Sequence, residues 1–125
     1  MGYALVRHSS NVFRLWVSDG DPDNITGRAS SNVTYTDTNW HHVVGVRNVD
    51  SDTLSIYVDG LLEDSVTDTV TGSIISTNNM SIGCALRSTG GFPNSFFNGT
   101  IEDLRVYNRA LSAGEIWQLY QSGLN

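Results

Sequence analysis

The stretch FNGTIEDLRVYNRALS, residues 97–112, decides the fold, because it joins a β-prone run to the start of a helix. Residues 99–107 are predicted to form the last long strand of the chain. Ser112 is followed three residues later by Glu115, as an N-terminal capping box requires. The apolar residues beyond it recur at the spacing of one helix face: Ile116, Leu119 and Tyr120. We therefore expect one short C-terminal helix, from about 111 to 122.

The rest of the chain has the pattern of β-strands separated by polar turns. Leu54, Ile56 and Val58 alternate with polar or aromatic residues, and Asp59-Gly60 then favours a type I′ turn. A tight hairpin is therefore predicted over residues 53–63. Similar patterns predict further strands at 3–8, 11–17, 25–30, 32–36, 40–47 and 79–85. In the second of these, the core face is predicted to carry Phe13, Leu15 and Val17.

Composition excludes several classes of protein. The chain has 125 residues and a net charge of −6, and all seven of its basic residues are arginine. This acidic balance argues against binding to nucleic acid or to an anionic membrane surface. No apolar run is long enough to insert into a membrane. The single Cys84 excludes an internal disulfide and a cysteine-based zinc site. We expect residues 1–125 to form one domain.

Three segments together resemble a known family: NWHHVVGVR at 39–47, LSIYVDG at 54–60, and residues 97–112 continued by Glu115-Ile116. In this order and spacing they resemble the laminin-G-like domains of the concanavalin A-like lectin/glucanase superfamily. The resemblance implies an all-β jelly-roll sandwich with one short C-terminal helix. It also implies a non-catalytic recognition module that binds carbohydrate or protein on an extracellular or cell-surface protein. The alternative is a structural or assembly domain that acts through exposed strand edges without a small ligand.

The chain departs from the family pattern at its N-terminus. Family members carry further strands before the point at which Tyr3 aligns, and these lie beside the C-terminal strand. Their absence predicts unpaired strand edges, which invite strand addition. We therefore expect a homo-oligomer, the alternative being a monomer whose remaining strands rearrange. The first six residues also lack the basic and apolar pattern of an export signal.

Because the superfamily includes glucanases, a catalytic member would carry a glucanase active-site motif. Retaining glycosidases need two carboxylates about 5 Å apart, which related glucanases supply as Glu-x-Asp-x-x-Glu. None of Glu63, Glu102 and Glu115 begins such a motif. The chain is therefore expected not to be an enzyme.

His41 and His42 are adjacent, so on a strand their side chains would face opposite ways and could not chelate one metal together. The resemblance implies that His42 is a hydrogen-bonded structural residue.

Candidate ligand-binding residues lie in two places. Arg14 and Trp16 occupy the non-core face of their predicted strand, where an aromatic ring can stack on a sugar. The long predicted loop at 87–96 offers Phe92 and Phe96 as an aromatic platform, with Arg87 and Asn94 as polar anchors. The alternative is that the loop phenylalanines pack beneath the loop. Two other aromatic residues are assigned to the core: Trp40 and Trp117.

Calcium is the one cofactor that the sequence suggests. Asp19, Asp21 and Asp23 alternate along a polar turn, and calcium is held by such oxygen ligands. The resemblance implies that Glu102 stands at a position that often helps to hold the ion. The alternative is that both groups of acids are simply solvated.

Overall fold

The computed structural model describes residues 2–18, 27–70, 74, 80–86 and 93–123. These residues form eight strands and one helix: β1 (Tyr3–Arg7), β2 (Phe13–Val17), β3 (Gly27–Ser30), β4 (Val43–Asn48), β5 (Thr53–Val58), β6 (Leu61–Thr67), β7 (Cys84–Leu86), β8 (Pro93–Phe96) and α1 (Ala113–Gly123). All of the strand pairs that they form are antiparallel.

The first sheet has the order β1-β2-β3. Leu15, Val17 and Ala29 are buried, and Phe13 packs against them. This confirms the predicted core face of β2. Since side chains alternate along a strand, Arg14 and Trp16 lie on the outer face, where Trp16 is directly opposite Arg28 of β3.

The second sheet has the order β4-β5-β6, with the predicted hairpin at its centre. Leu54, Ile56 and Val58 of β5 are buried. Asp59 and Gly60 have φ angles of 50° and 81°, as the two positions of a type I′ turn require. The Asp-Gly prediction is therefore confirmed.

The two sheets pack face to face around one hydrophobic cluster. Leu15 and Ala29 of the first sheet share this cluster with Leu54 and Ile56 of the second. At Gly45, a Cβ atom would lie only 2.8 Å from Leu15 Cδ1, so the absent side chain lets β4 approach β2 closely. This confirms the predicted all-β sandwich of the concanavalin A-like kind.

The helix begins at the predicted capping box. Glu115 N donates to Ser112 Oγ (3.2 Å), and Ser112 N donates to Glu115 Oε2 (2.8 Å). Ile116 is buried, and Tyr120 is half-buried. Trp117 and Tyr120 pack over Gly60, so the helix lies against the hairpin turn of the second sheet.

Several predictions about strands and core residues were wrong. Residues 99–107 do not form a strand, because they have no neighbouring strand among the described residues to pair with. Residues 32–36 also lack strand structure, since hydrogen bonds to Glu63 hold this segment instead. Trp40 is 62% exposed and Trp117 is also exposed, so neither belongs to the core. Trp40 lies in the loop before β4 rather than on the strand.

The region predicted as strand 79–85 and loop 87–96 is organised differently. Cys84 of β7 pairs with Phe96, and Leu86 pairs with Pro93. Residues 93–96 are therefore part of a hairpin, while 87–92 lie outside the described residues. Cys84 is half-buried and free of disulfides rather than fully buried.

Candidate functional site

An exposed apolar surface follows the β7–β8 hairpin. Phe96 is 73% exposed and Val106 is 63% exposed. The other large apolar residues exposed on this stretch are Phe97, Ile101, Leu104 and Tyr107. Several exposed large apolar residues within one stretch of a folded domain are typical of an interaction site. We call residues 98–110 the C-terminal segment.

The backbone of the C-terminal segment has no backbone partner among the described residues. The chain is fixed before it by a hydrogen bond from Phe97 N to Gly83 O (2.8 Å) and after it by the helix cap at Ser112. Asp103 has a φ angle of 53°, in the left-handed region. Within the described part of the chain, the segment therefore combines unpaired backbone donors and acceptors with exposed apolar side chains.

Two exposed ion pairs lie on or next to this segment. Arg105 Nε and Nη2 each donate to Asp103 at 2.9 Å. Arg109 pairs in the same two-pronged way with Glu115, at 3.0 and 2.7 Å. Together with the backbone N–H of Ser112, Arg109 lowers the pKa of Glu115 to about 2. Arg109 therefore stabilises the helix cap. Among the described residues, the charges of Asp103 and Arg105 pair only with each other, and both side chains lie on the surface.

His41 links the loop before β4 to the hairpin turn. Its Nδ1 lies 2.8 Å from Asp59 Oδ2, and its Nε2 lies 3.1 Å from Asp37 Oδ1. Asp59 also accepts a hydrogen bond from the backbone N–H of His42 (3.0 Å). Burial lowers the pKa of His41, but the hydrogen bonds to Asp59 and Asp37 outweigh this and leave it raised. The imidazole therefore ties the loop before β4 to the turn, and the two carboxylates favour its protonated form.

The side chain that forms the expected structural hydrogen bonds is that of His41, not that of His42. His42 was expected to be the hydrogen-bonded structural residue, but its Nδ1 is buried without a hydrogen-bond partner. Its ring instead lies 6.1 Å from that of Tyr120 on the helix. Burial lowers the pKa of His42, and the charges of Asp103 and Arg105 lie close enough to act on it. The C-terminal segment therefore passes near the start of β4.

We predict that the stabilising effect of His41 depends on pH. Because its pKa is raised in the folded state, its contribution is complete below the ordinary histidine pKa of 6.5 and is lost as the pH rises through the folded-state pKa. His41→Gln should therefore lose more stability, relative to the wild type, at about pH 5.5 than at about pH 9. Urea unfolding of both proteins across this range measures the difference. An equal loss at both pH values would show that the imidazole is uncharged.

A second network, which sequence reasoning missed, fixes the segment after β3. Glu63 of β6 accepts hydrogen bonds from Tyr35 Oη (3.1 Å) and from the backbone N–H of Asn32 (3.1 Å). Burial and the neighbouring Glu63 raise the pKa of Tyr35 to about 12. These contacts join residues about thirty positions apart, so no local pattern could have revealed them. They support the sandwich rather than a ligand.

The predicted ligand residues on β2 lie on the outer face of the first sheet. Arg14 and Trp16 are half-buried there, with Arg28 exposed beside them. Burial and the charge of Arg28 lower the pKa of Arg14. Arg14 Nε and Trp16 Nε1 are buried without a hydrogen-bond partner. Two donors therefore lack acceptors on this face, at a cost of about 1–3 kcal/mol each.

The other predicted ligand residues are not brought together with this face. Arg87 and Phe92 lie outside the described residues. Asn94 and Phe96 lie on β8, and Phe96 is exposed. β8 belongs to a different sheet from β2. Ligand binding by either group therefore stays a prediction.

The calcium site also stays a prediction. Asp19, Asp21 and Asp23 lie outside the described residues, and Glu102 is exposed. Across the described ranges, no group of three or more His, Cys, Asp or Glu residues is placed to hold a metal ion. Within the same ranges, no helix is long and apolar enough to cross a membrane.

Two packed antiparallel sheets followed by a capped C-terminal helix define this chain as a sandwich of the laminin-G-like kind. The chain belongs to the concanavalin A-like lectin/glucanases superfamily, whose laminin-G family model matches residues 2–117. The comparison with curated proteins gave no match.

Among solved structures, the fold is similar to a crystal structure of an S-layer domain-containing protein (residues 221–444) from Clostridium thermocellum ATCC 27405. The two chains have a TM-score of 0.58 and 24% sequence identity. The match covers 94% of this chain but only 55% of that one, so this chain spans little more than half its length.

Proposed function

We propose that this domain is a non-catalytic assembly module of an extracellular or cell-surface protein, and that it associates with another polypeptide through the C-terminal segment. One observation carries the proposal: an exposed apolar stretch whose backbone donors and acceptors have no backbone partner among the described residues. Such a stretch can form a strand as soon as a second strand is supplied.

The energetics favour association through this segment. Burying a large apolar side chain contributes about 1.5–3 kcal/mol, and four such residues lie within it: Ile101, Leu104, Val106 and Tyr107. Their combined contribution is comparable with the cost of about 4–15 kcal/mol for bringing two chains together. Backbone hydrogen bonds and exclusion of water then decide the affinity.

The comparisons support a cell-surface setting. The solved structure with the same fold is named as an S-layer domain-containing protein. The superfamily description names lectins. Both names fit a module that binds or assembles outside the cell, and the acidic, lysine-free composition fits the same setting.

We predict that Val106→Pro abolishes association of the domain without destabilising the single chain. Proline removes a backbone donor that a paired strand needs, but Val106 N–H has no described backbone partner in the single chain. Light scattering over a concentration series should show oligomers for the wild type and monomers for the variant. Their melting temperatures should be equal in dilute solution, where both are monomeric. Val106→Thr keeps the donor and is the matched control. A wild type that stays monomeric, or a variant that still associates, would contradict the proposal.

A second candidate function, glycan binding, is favoured by the outer face of the first sheet. Trp16 offers a half-buried aromatic ring for stacking, and Arg14 is half-buried on the same face of β2. Arg28 beside them favours a sugar that carries a carboxylate or sulfate. This face is remote in sequence from the C-terminal segment, so the two functions can be tested separately.

We predict that this face binds acidic glycans and that Trp16→Ala weakens binding by about tenfold, because it removes the aromatic ring that stacks on the sugar. A glycan array with the wild type, followed by calorimetry on any ligand found, measures this. Tyr3→Phe, on the other face of the first sheet, is the control and should bind normally. Failure of the wild type to bind any acidic glycan would exclude the candidate.

A further inference from the structure

We propose that the partner of the C-terminal segment is the same segment of a second copy, paired antiparallel with Leu104 opposite Leu104. This inference rests on the proposed assembly function and specifies its partner and its register. It follows from the exposed charges of the segment and from the symmetry of a dimer.

Symmetry restricts how the segment can pair with itself. Most homodimers have a twofold axis, so each residue meets its counterpart on the other side of a centre. Directly opposite residues of an antiparallel pair have side chains on the same face of the sheet, whereas neighbours along one strand have side chains on opposite faces. If the twofold axis passed between two neighbouring residues, these two would have to share a face. The centre must therefore be a residue that lies opposite its own copy. Only a few registers therefore need to be compared.

Charge selects Leu104 as the centre. In that register Asp103 of each copy lies opposite Arg105 of the other, which gives two ion pairs across the strands. A centre at Asp103 would place two aspartates opposite each other, and a centre at Arg105 would do the same with two arginines. Like charges directly opposite each other are destabilising. The neighbouring registers are therefore disfavoured.

The same register also aligns the apolar side chains. Leu104 meets its own copy at the centre, and Ile101 lies opposite Tyr107 on both sides of it. All three side chains are exposed in the single chain. A centre at Val106 would instead place Asp103 opposite Arg109, which is already held by Glu115 at the helix cap. It would also place Leu104 opposite a polar residue, Asn108.

Pairing with a second copy requires little change in the single chain. Asp103 and Arg105 already form an ion pair with each other at 2.9 Å, and both side chains are exposed. Pairing replaces the two intrachain contacts with two interchain contacts, so no buried group has to open. Asp103 must change from its φ of 53° to an extended conformation. Only one residue of the segment therefore leaves a left-handed conformation.

Charge reversal tests the register directly. Asp103→Arg places arginine opposite Arg105 in both pairs, and Arg105→Asp places aspartate opposite Asp103. Each single variant should associate at least about tenfold more weakly than the wild type. When the two variants are mixed, both pairs become complementary and association should return to within about threefold of the wild type. Sedimentation of each protein and of the mixture measures this, and circular dichroism confirms that each variant is folded.

Cross-linking gives a second, independent measurement. In a Cys84→Ser background, Leu104→Cys should form a disulfide between copies under mild oxidation, because directly opposite Cβ atoms lie about 4.5–5.5 Å apart. Val106→Cys is the matched control: in this register it lies opposite Glu102, so its two copies are too far apart to bond.

The possible results separate this inference from the function on which it rests. Recovery in the mixture, with cross-linking at position 104 alone, supports the register. If the wild type associates but the mixture stays dissociated, or cross-linking occurs at 106 instead, the register is wrong while the assembly function stands. If the wild type remains monomeric at every concentration, both fail.

Discussion

Asp68→Ala is expected to destabilise the domain by about 3 kcal/mol or more. The Asp68 side chain is only 3% exposed and contacts Arg47 Nε at 2.5 Å. Its other oxygen accepts a hydrogen bond from Val70 N (2.9 Å), and Arg47 also donates to Val70 O (2.9 Å). Removing the carboxylate leaves a half-buried guanidinium unpaired beside the core residue Val70. Urea unfolding monitored by circular dichroism measures the loss.

Two controls isolate the effect of the buried pair. Asp103→Ala breaks an exposed pair with Arg105 and should cost no more than about 1 kcal/mol. Arg47→Met combined with Asp68→Leu removes both charges and should recover part of the loss. If Asp68→Ala costs no more than Asp103→Ala, the pair between β4 and the end of β6 is not a main support of the sandwich.

Leu54→Ala is expected to cost about 2–5 kcal/mol. Leu54 is fully buried on β5, and its Cδ1 atom fills the space that a side chain at Gly27 would otherwise occupy. The truncation therefore opens a cavity between the two sheets. Leu61→Ala, on the neighbouring strand, is the matched control, because Leu61 is 61% exposed. It should change stability by no more than about 0.5 kcal/mol, and a similar loss in both variants would contradict the assigned core.

Local chemistry explains which parts of the fold were predictable. The alternation in β5 places its apolar residues on one face whatever the neighbouring strands are. The turn at Asp59-Gly60 and the cap at Ser112 and Glu115 depend on side chains within a few residues of each other. Each of these features was therefore correctly predicted from the sequence.

The unpredictable parts depend on partners distant in sequence. Residues 99–107 have the propensity of a strand, but a strand also needs a neighbour, and the described residues supply none. Trp40 is an aromatic residue just before β4, yet it is largely exposed. The local sequence sets the secondary-structure propensity and hydrophobicity of a residue. Whether that residue joins a sheet or is buried depends on the segments that pack around it.

The candidate site was predicted only in part. Unpaired strand edges were expected; the C-terminal segment lacks backbone partners among the described residues, but it is not a strand. The resemblance assigned the structural role to His42, but the side chain of His41 is the one between Asp37 and Asp59. Two further contacts were not predicted: Glu63 with Tyr35, and Arg47 with Asp68. Each joins residues more than twenty positions apart in sequence, which local sequence patterns do not relate.

Hydrogen–deuterium exchange of the wild-type domain at low and high protein concentration tests the assembly function most directly. We expect the amides of residues 98–110 to exchange rapidly in dilute solution, since they lack backbone partners, and to become strongly protected when the protein is concentrated. Amides of β5, which are paired on both sides, should be protected equally in both samples. Protection of 98–110 already in dilute monomer, or rapid exchange at every concentration, would contradict assembly through this segment.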